Sequence, residues 1–174
     1  MRVLIDTSIW SLALRRSEHA QNPEATELRR LIAAHVVEII GPIWQEVLSG
    51  VRDQAQFERL QTHLAAFVDL PLDAEDYVTA AKFYNLCRSK GIQGSNTDFL
   101  ICAVAVRHDL SVFTTDGDFP HFAKCIPIVL HEIRKTAEKE APGSQRSTRV
   151  TRSTRVTSRH STKKHQGHVS TFDN

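Results

Sequence analysis

The sequence predicts an α/β fold of three layers, α/β/α, with helices on both faces of a central, mostly parallel sheet. Short apolar runs rich in β-branched residues alternate along the chain with segments whose apolar residues recur at helical spacing. Strands that alternate with helices are typical of a parallel sheet with right-handed crossovers. The chain of 174 residues has room for one domain of ordinary size, with a core that folds without disulfides.

The first elements are a short buried strand at residues 2–5 and a helix in SIWSLALRR, where apolar residues recur at helical spacing. A second helix is expected from Pro23 to about His35, because Asn22 fits its cap, Pro23 its first position and Glu24 its first turn. The segment VVEII then reads as a strand. After the Gly-Pro pair that follows it, IWQEVLSG begins a third helix.

The middle of the chain is predominantly helical. The segment RDQAQFERLQTHLAAF places Phe57, Leu60 and Leu64 on one helix face, and FVDLPL after it is a weaker strand that Pro71 closes. A long helix follows in LDAEDYVTAAKFYNLCRSKG, with Asp73 as its cap and the glycine at its end as its stop.

The last part of the domain returns to the alternating pattern. The helix TDFLICAVAVRHD precedes the strand SVFTT, and the short segment DFPHFAKC leads to a last strand in IPIVLHEI. This path predicts a domain at residues 1–141.

Charge divides the chain at about Pro142. Residues 1–141 carry 15 Lys and Arg against 19 Asp and Glu, a balance of −4, whereas residues 142–174 carry seven Lys and Arg against one Asp, a balance of +6. This second segment repeats RSTRVT in tandem at 146–151 and 152–157 and has few apolar residues, which predicts a disordered basic tail. Two interpretations remain open: an arm that grips RNA through its cations, or an extension without functional consequence.

The three cysteines predict reduced thiols and a cytoplasmic protein. Cys87, Cys102 and Cys125 are an odd number, far apart, and lack the paired spacing that a zinc site uses. The N-terminal MRVLIDTS is too polar for a signal peptide, and it begins no apolar run long enough to span a membrane. We therefore expect neither export nor membrane insertion.

Four acidic residues follow strand ends of the predicted sheet. Asp6 ends the first strand, Glu46 lies one turn into the helix after the second, Asp98 opens the helix after QGSN, and Asp116 ends SVFTT, with Asp118 close by. The carboxyl ends of parallel strands share one edge of the sheet, where active sites gather. The sequence therefore predicts that these carboxylates meet there.

Each acid also has a purely structural explanation. Capping, helix-dipole and turn preferences all favour acids at such positions. These explanations are a helix cap near Ser8 for Asp6, a solvated first-turn acid for Glu46, a capping box with Ser95 for Asp98, and a turn with Gly117 for Asp116.

Four carboxylates gathered at one edge repel one another unless a cation neutralises them. Without a paired His or Cys, the set favours a hard divalent ion, Mg²⁺ or Mn²⁺, over zinc. Such ions activate water and stabilise charge on the leaving oxygen of a phosphodiester. The pattern therefore indicates metal-dependent hydrolysis of nucleic acid.

Residues 1–133 resemble, in order and spacing, the four motifs of PIN-domain ribonucleases, especially VapC-like toxins. The motifs are VLIDTSIW, GPIWQEVLSG, NTDFLICAVA and FTTDGDF. The resemblance implies an α/β/α fold and an endoribonuclease that uses Mg²⁺ or Mn²⁺, usually as a homodimer held inactive by a cognate antitoxin. It also implies RNA as the substrate.

The resemblance also implies roles for individual residues. Those expected to be catalytic are Asp6, Glu46, Asp98 and Asp116; the expected metal ligands are Asp6, Asp98 and Asp116, with Glu46 and Asp118 as further candidates; and the residues expected to orient ligands are Thr7, Ser8, Thr114 and, more weakly, Thr97. Asp118 makes DGDF a motif with two acids, of which the family pattern favours Asp116. The basic tail is not part of the family pattern.

Two other functions compete. In haloacid-dehalogenase-like phosphatases an aspartate after the first strand is the nucleophile, but they need a second acid two residues later, where this chain has Ser8. Alternatively the chain is a catalytically idle PIN-like protein that binds a partner through apolar residues of its early helices, although core packing explains the same residues. These residues are Leu12, Leu14, Leu28 and Ile32. Metal-dependent RNA cleavage by the partner-free protein separates these possibilities.

Other candidate residues favour structural roles. Asp73, Glu75 and Asp76 read as a cap and first helical turn. His108 and His131 are isolated in the sequence, and Trp10 and Trp44 stand at packing positions.

Overall fold

The computed structural model describes residues 1–14 and 22–133. The predicted basic tail at 142–174, and with it the domain boundary at 141, lies outside the described residues. None of the helices in these two ranges is long and apolar enough to cross a membrane.

A parallel sheet forms the centre of the domain. In the order β2-β1-β3-β4, every pair of neighbouring strands is parallel. The strands within the described residues are β1 (Val3–Ile5), β2 (Val37–Glu38), β3 (Ser111–Phe113) and β4 (Val129–Leu130). Strand β1 lies inside the sheet and all three of its residues are buried, as its apolar sequence predicts.

Helices occupy most of the rest of the described chain. They are α1 (Thr7–Leu14), α2 (Pro23–Ala33), α3 (Gly41–Ser49), α4 (Gln54–Leu64), α5 (Ala74–Ser89), α6 (Asn96–Arg107) and α7 (Phe119–Phe122). Helix α1 packs against α2, and α5 packs against α6. Right-handed crossovers place α1 and α2 on one face of the sheet and α5, α6 and α7 on the other.

The strand order reverses direction between β1 and β3. The chain leaves β1 toward β2 on one side and leaves β3 toward β4 on the other, so the two connections diverge at the carboxyl ends of β1 and β3. Such a divergence opens a crevice in which α/β proteins bind ligands. We call this edge, formed by the carboxyl ends of β1 and β3, the rim.

Helices α5 and α6 form an antiparallel pair tied together at the end away from the rim. Asp76 is fully buried and accepts a hydrogen bond from the guanidinium of Arg107, which also bonds Asp73 at 2.9 Å. Asp73 caps α5, as predicted, and forms a capping box with Asp76. His108 lies 3.4 Å from Asp76. These acids therefore have a structural role.

A buried acid joins α2 to the end of the sheet. Glu27 is 5% exposed; it receives two hydrogen bonds from Arg30 and lies 2.7 Å from Nε2 of His131. His131 also packs edge-on against Phe113 of β3. His131 is thus a structural residue, as the sequence indicates.

The three cysteines are free, as predicted. Cys87 and Cys102 are buried and Cys125 is half-buried. Burial raises the pKa of the Cys87 and Cys102 thiols, which keeps both protonated.

Three details differ from the sequence prediction. FVDLPL does not form a strand, because only Asp69 pairs, in a single bridge with Ile39. The ladder in VVEII is limited to Val37–Glu38. Helix α3 begins at Gly41 rather than after Pro42, since proline is well suited to a first helical turn, where no backbone donor is needed.

Candidate metal centre

Asp6 lies at the end of β1, inside the rim. Its backbone N–H continues the sheet by donating to the carbonyl of Phe113, and its own carbonyl accepts from the N–H groups of Ile9 and Trp10 in α1. The residue therefore directly follows the strand and caps the helix. It is only 6% exposed, so the surrounding backbone fixes the direction of its carboxylate.

Two hydroxyl groups hold the Asp6 carboxylate by the same oxygen. Ser8 Oγ lies 2.6 Å from Asp6 Oδ2, and Thr114 Oγ1 lies 2.8 Å from it. Both hydroxyls donate, because an ionised carboxylate only accepts. Ser8 Oγ in turn accepts from the N–H of Thr115 at 3.1 Å. Among the described residues, hydrogen bonds reach Oδ2 alone, which leaves Oδ1 for a ligand.

Glu46 reaches the same place from α3. Its Oε2 accepts a hydrogen bond of 2.9 Å from Thr7 Oγ1, the residue next to Asp6. This contact links the first residue of α1 to a residue in the middle of α3, 39 positions away in the sequence. Glu46 is exposed, and Thr7 therefore limits the positions that a mobile side chain would otherwise sample.

Asp98 has the capping role that the sequence offered, and it lies near the other acids of the cavity. Ser95 and Asp98 form a capping box at the start of α6, in which Asp98 Oδ2 accepts from the N–H of Ser95 at 2.7 Å. Burial raises the pKa of Asp98 above its usual range against the opposing effect of these hydrogen bonds, and the charges of Asp116 and Asp6 add to the rise. Asp98 therefore lies close enough to both acids to be affected by their charge.

Asp116 and Asp118 differ in position. Asp116 is exposed at the rim; its N–H donates to Thr114 Oγ1 at 2.9 Å, and its Oδ1 accepts from the N–H of Asp118. Asp118 is the first residue before α7, and its side chain makes no capping bond. The Thr114 hydroxyl thus donates a hydrogen bond to the Asp6 carboxylate and accepts one from the backbone N–H of Asp116.

One cavity unites the four predicted acids. It has a volume of about 450 Å³, and its lining residues are Asp6, Thr7, Ser8, Ser11, Leu12, Glu46, Asp98, Thr115 and Asp116. Asp118 and Thr97 are not among them. Thr97 instead lines a second, largely apolar cavity of about 470 Å³ between α5 and α6.

The sequence did not point to Ser11, Leu12 or Thr115 as residues of this site. Ser11 and Leu12 lie in α1 beyond the conspicuous DTS motif, and Thr115 contributes through its backbone contact with Ser8. The only sequence signal for Ser11 and Leu12 is helical periodicity, which places residues three and four positions apart on one face.

The donor set fits a hard divalent cation. Every acid around the cavity offers carboxylate oxygen, the ligand that Mg²⁺ and Mn²⁺ prefer. Within residues 1–14 and 22–133, no three acidic, His or Cys side chains already stand close enough to enclose a metal ion. Mg²⁺ is commonly held by one or two carboxylates and several waters, so an open set of acids suits it better than it suits zinc.

The tryptophans do not line this cavity. Trp10 is 5% exposed and packs edge-on against Phe67, with ring centroids 5.1 Å apart. Trp44 is half-buried against the core. Packing therefore accounts for both residues, as predicted.

Comparison with known proteins agrees with this arrangement. Residues 3–124 match the PIN domain family. VapC ribonuclease Mb1587 of Mycobacterium bovis and ribonuclease VapC11 of Mycobacterium tuberculosis are each 33% identical to this chain over 126 residues, which is 70% of this chain and 92% of each relative.

Solved structures show the same fold. FitAcB from Neisseria gonorrhoeae has a TM-score of 0.61 and 21% identity, covering 75% of this chain and 96% of that chain. VapBC2 from Rickettsia felis, bound to a DNA fragment from its promoter, has a TM-score of 0.61 and 16% identity, covering 75% and 98%. The predicted three-layer architecture is thereby confirmed. With its four-strand parallel sheet, its family match and these relatives, the chain belongs to the PIN domain family and, within it, to the VapC-like ribonucleases.

Proposed function

We propose that this protein is a metal-dependent endoribonuclease and the toxin of a toxin–antitoxin pair. The observation that carries the proposal is the single cavity in which Asp6, Glu46, Asp98 and Asp116 converge from four segments of the chain. Relatives that are 33% identical over most of the domain are named ribonucleases, which supports RNA as the substrate.

Asp6, Asp98 and Asp116 are the proposed ligands of Mg²⁺ or Mn²⁺, with Glu46 as the fourth acid of the site. The cation supplies Lewis-acid chemistry: it lowers the pKa of water and offsets charge on the phosphodiester. Ser8 and Thr114 hold Asp6 by Oδ2 and so direct Oδ1 toward the cavity. Thr7 holds Glu46, to which we assign the orientation of the attacking water.

The proposal assigns different roles to the two acids of DGDF, Asp116 and Asp118. Asp116 lines the cavity and Asp118 does not, which supports Asp116 as the ligand. Thr97 lines the other cavity, and within the described parts of the chain it makes no hydrogen bond to the acids of the site.

The assembly is part of the same proposal. The solved structures of this fold include toxin–antitoxin complexes such as VapBC-1 from nontypeable Haemophilus influenzae, which supports a cognate antitoxin as partner. Helix α5 exposes Tyr77, Val78 and Leu86 by 55%, 44% and 41%, and these apolar side chains support a homodimer. The free thiols support a cytoplasmic location.

The competing functions have less support. Ser8 stands where a phosphatase of the aspartyl-nucleophile type needs a second acid, and its hydroxyl is already engaged by Asp6. Leu28, a candidate for partner binding by an idle protein, is 2% exposed and belongs to the core.

The test is cleavage of single-stranded RNA by protein purified free of any partner. We expect cleavage in Mg²⁺ or Mn²⁺ and none in EDTA. Replacing a cavity acid, as in Asp6→Asn or Asp116→Asn, should lower kcat/KM by about 100-fold or more, because charge stabilisation at the reacting phosphate is lost. Asp118→Asn is the matched control and should stay near wild type. Normal cleavage by Asp6→Asn would refute the proposal.

A further inference from the structure

A third cavity, with a polar lining, is formed by the end of α5 and the loop that precedes α6, the helix that carries Asp98. It has a volume of about 280 Å³ and is lined by Tyr84, Arg88, Ile92, Gln93 and Gly94. The first two residues belong to the last turns of α5, and the others to the loop that leads into α6. The lining combines an aromatic ring, a guanidinium group and a side-chain amide.

The chain path brings this cavity to the rim. Helix α6 leads directly to β3, whose carboxyl end is at the rim, so α6 begins at the rim side, and α5 ends there. Gly94 is followed by Ser95, whose N–H donates to Oδ2 of Asp98 at 2.7 Å. Gly94, which lines the polar cavity, is therefore joined to Ser95 by a peptide bond, and Ser95 is joined by one hydrogen bond to Asp98, a proposed metal ligand.

Arg88 has no acidic partner among the residues that the structure describes. Arg2, Arg30 and Arg107 each form an ion pair with a carboxylate. Arg88 is exposed, and within the described parts of the chain its guanidinium makes no ion pair or hydrogen bond. A guanidinium binds phosphate oxygens through two parallel hydrogen bonds, which makes arginine well suited to a nucleic-acid backbone.

The loop that shapes the cavity is firmly held. Gly91 has a φ of 76°, and the N–H groups of Gly91 and Ile92 close the end of α5 by donating to the carbonyls of Arg88 and Cys87. A Cβ at Gly94 would stand 2.5 Å from Phe122 Cζ, so the backbone lies directly against a buried ring. The cavity is therefore preformed, which lowers the cost of ordering a ligand in it.

Charge makes a cation at this place necessary for RNA. The neighbouring cavity gathers four carboxylates, and a divalent ion can offset only part of that charge for an approaching phosphate chain. A positive group beside the acids would attract the phosphates that flank the cleaved bond.

We propose that this polar cavity binds one nucleotide of single-stranded RNA next to the cleaved phosphodiester. Arg88 holds its phosphate, Gln93 hydrogen-bonds its base or ribose, and Tyr84 offers a ring on which the base stacks. Single-stranded RNA is commonly recognised through stacking on aromatic rings and hydrogen bonds to base edges. The inference rests on the proposed RNA cleavage. The residues that it assigns to RNA binding are different from those that line the acidic cavity.

The experiment compares full-length variants on one short, unstructured, fluorescein-labelled RNA. Arg88→Ala and Gln93→Ala remove the proposed contacts, and Arg88→Lys keeps the charge. Arg59→Ala is the matched control, since Arg59 is an exposed arginine of α4 that lines neither cavity. Affinity is measured by anisotropy across a salt series, and kcat and KM in Mg²⁺ are measured in parallel. Sedimentation gives the oligomeric state of each variant.

We expect Arg88→Ala to weaken RNA affinity and raise KM by about tenfold, since it removes charged hydrogen bonds, with kcat changed by less than about twofold. The slope of log affinity against log salt should fall by about 0.7, the value for one phosphate contact on a single strand. Arg88→Lys should restore the slope to the wild-type value. Gln93→Ala should weaken affinity but leave the slope unchanged. Arg59→Ala should match wild type in both.

Three results would overturn the inference. Arg88→Ala could bind RNA like Arg59→Ala, or it could change only the oligomeric state, which would assign the cavity to a contact between copies of the chain. If the wild-type protein binds no RNA, both the nucleotide-binding cavity and the proposed function are refuted. Wild-type protein that binds but does not cleave RNA would refute the nuclease alone, because the affinity comparison stands without cleavage.

Discussion

Different atoms of Asp6 have different contacts, which allows one residue to have a structural role and a proposed chemical role. Its backbone groups extend the sheet and begin α1, while its Oδ2 receives the hydroxyls of Ser8 and Thr114. The capping role that the sequence suggests and the proposed metal-binding role do not compete, because different atoms would perform them. The same division applies to Asp98, whose Oδ2 completes the capping box.

Thr114 offers a test at the level of one hydroxyl. Thr114→Val keeps the shape but removes both the donor to Asp6 and the acceptor for the N–H of Asp116. Losing such a supporting contact typically lowers metal affinity or activity by about 10- to 100-fold, and we expect Mn²⁺ affinity and kcat/KM to fall within that range. Titration calorimetry and RNA cleavage measure the two. Thr114→Ser retains the hydroxyl and should remain near wild type; equal losses in both variants would contradict the argument.

Glu27 predicts how stability depends on pH. Hydrogen bonds from Arg30 lower its pKa from 4.5 to about 2, against the effect of burial. A lowered folded-state pKa stabilises the protein above the unfolded value, and this stabilisation is lost as the pH falls from about 5 to about 2. Because Arg30 is half exposed and therefore partly screened, we expect a contribution of about 2 kcal/mol.

Glu27→Gln tests this assignment through unfolding by denaturant at a series of pH values. The variant should be less stable than wild type near neutral pH, and the difference should shrink as the pH approaches about 2. A difference in unfolding free energy that stays constant over this range would show that the Glu27 carboxylate is not the source. Glu58→Gln, an exposed acid of α4, is the control.

Among elements, the turn between α5 and α6 is tightly packed at Gly94. A methyl group at Gly94 would meet the ring of Phe122 at 2.5 Å and that of Phe99 at 3.1 Å. Both rings are almost completely buried and cannot move aside freely. We therefore expect Gly94→Ala to lower the free energy of unfolding by about 1–3 kcal/mol, the usual cost of overpacking.

Gly50→Ala is the matched control for this substitution. Gly50 follows α3 with φ of −76°, and a Cβ there would stand no closer than 3.7 Å to other atoms. Urea denaturation of both variants gives the comparison, and we expect the control to lie within about 0.5 kcal/mol of wild type. Equal stability of the two variants would mean that the turn is looser than its contacts indicate.

Sequence predicted elements best where local chemistry decides them. The caps Asn22, Asp73 and Ser95 are confirmed, because each depends only on the side chain and the next few N–H groups. Strands were less predictable. FVDLPL has suitable composition, yet only Asp69 finds a partner, since pairing depends on where distant strands lie.

The candidate site likewise has features that the sequence predicts and features that it does not. Strand ends and motif order were enough to predict that four acids share a cavity. The contact of Thr7 with Glu46 was not readable from the sequence, because it depends on how α1 and α3 approach each other. Thr97 lines a different cavity from its neighbour Asp98, since adjacent helical residues point about 100° apart.

For the whole molecule, the charge division supports a boundary between an acidic body and a basic tail. Among the described residues, the last buried residue of the core is Ile128, and Ile133 packs against that core. A chain truncated after Glu140 should therefore keep the wild-type melting temperature within about 2 °C. Scanning calorimetry checks this, and a clear loss of thermal stability would move the boundary further along the chain.

The same truncation separates the two interpretations of the tail. If the seven cations of residues 142–174 grip RNA, the slope of log affinity against log salt should fall by about 0.7 for each phosphate contact that is lost. If the tail has no function, affinity at low salt should not change. Cleavage rates of both forms at saturating RNA serve as the control for an intact site.

The bond between Thr114 and Asp6 joins residues 108 positions apart, and it determines when the site can exist. A chain is made from its N-terminus, so Asp6 leaves the ribosome long before β3, the strand that completes its surroundings. Until that strand inserts beside β1, there is no rim and no shared pocket of acids. We therefore expect a growing chain to lack RNA-cleaving activity until nearly all of the domain has been translated.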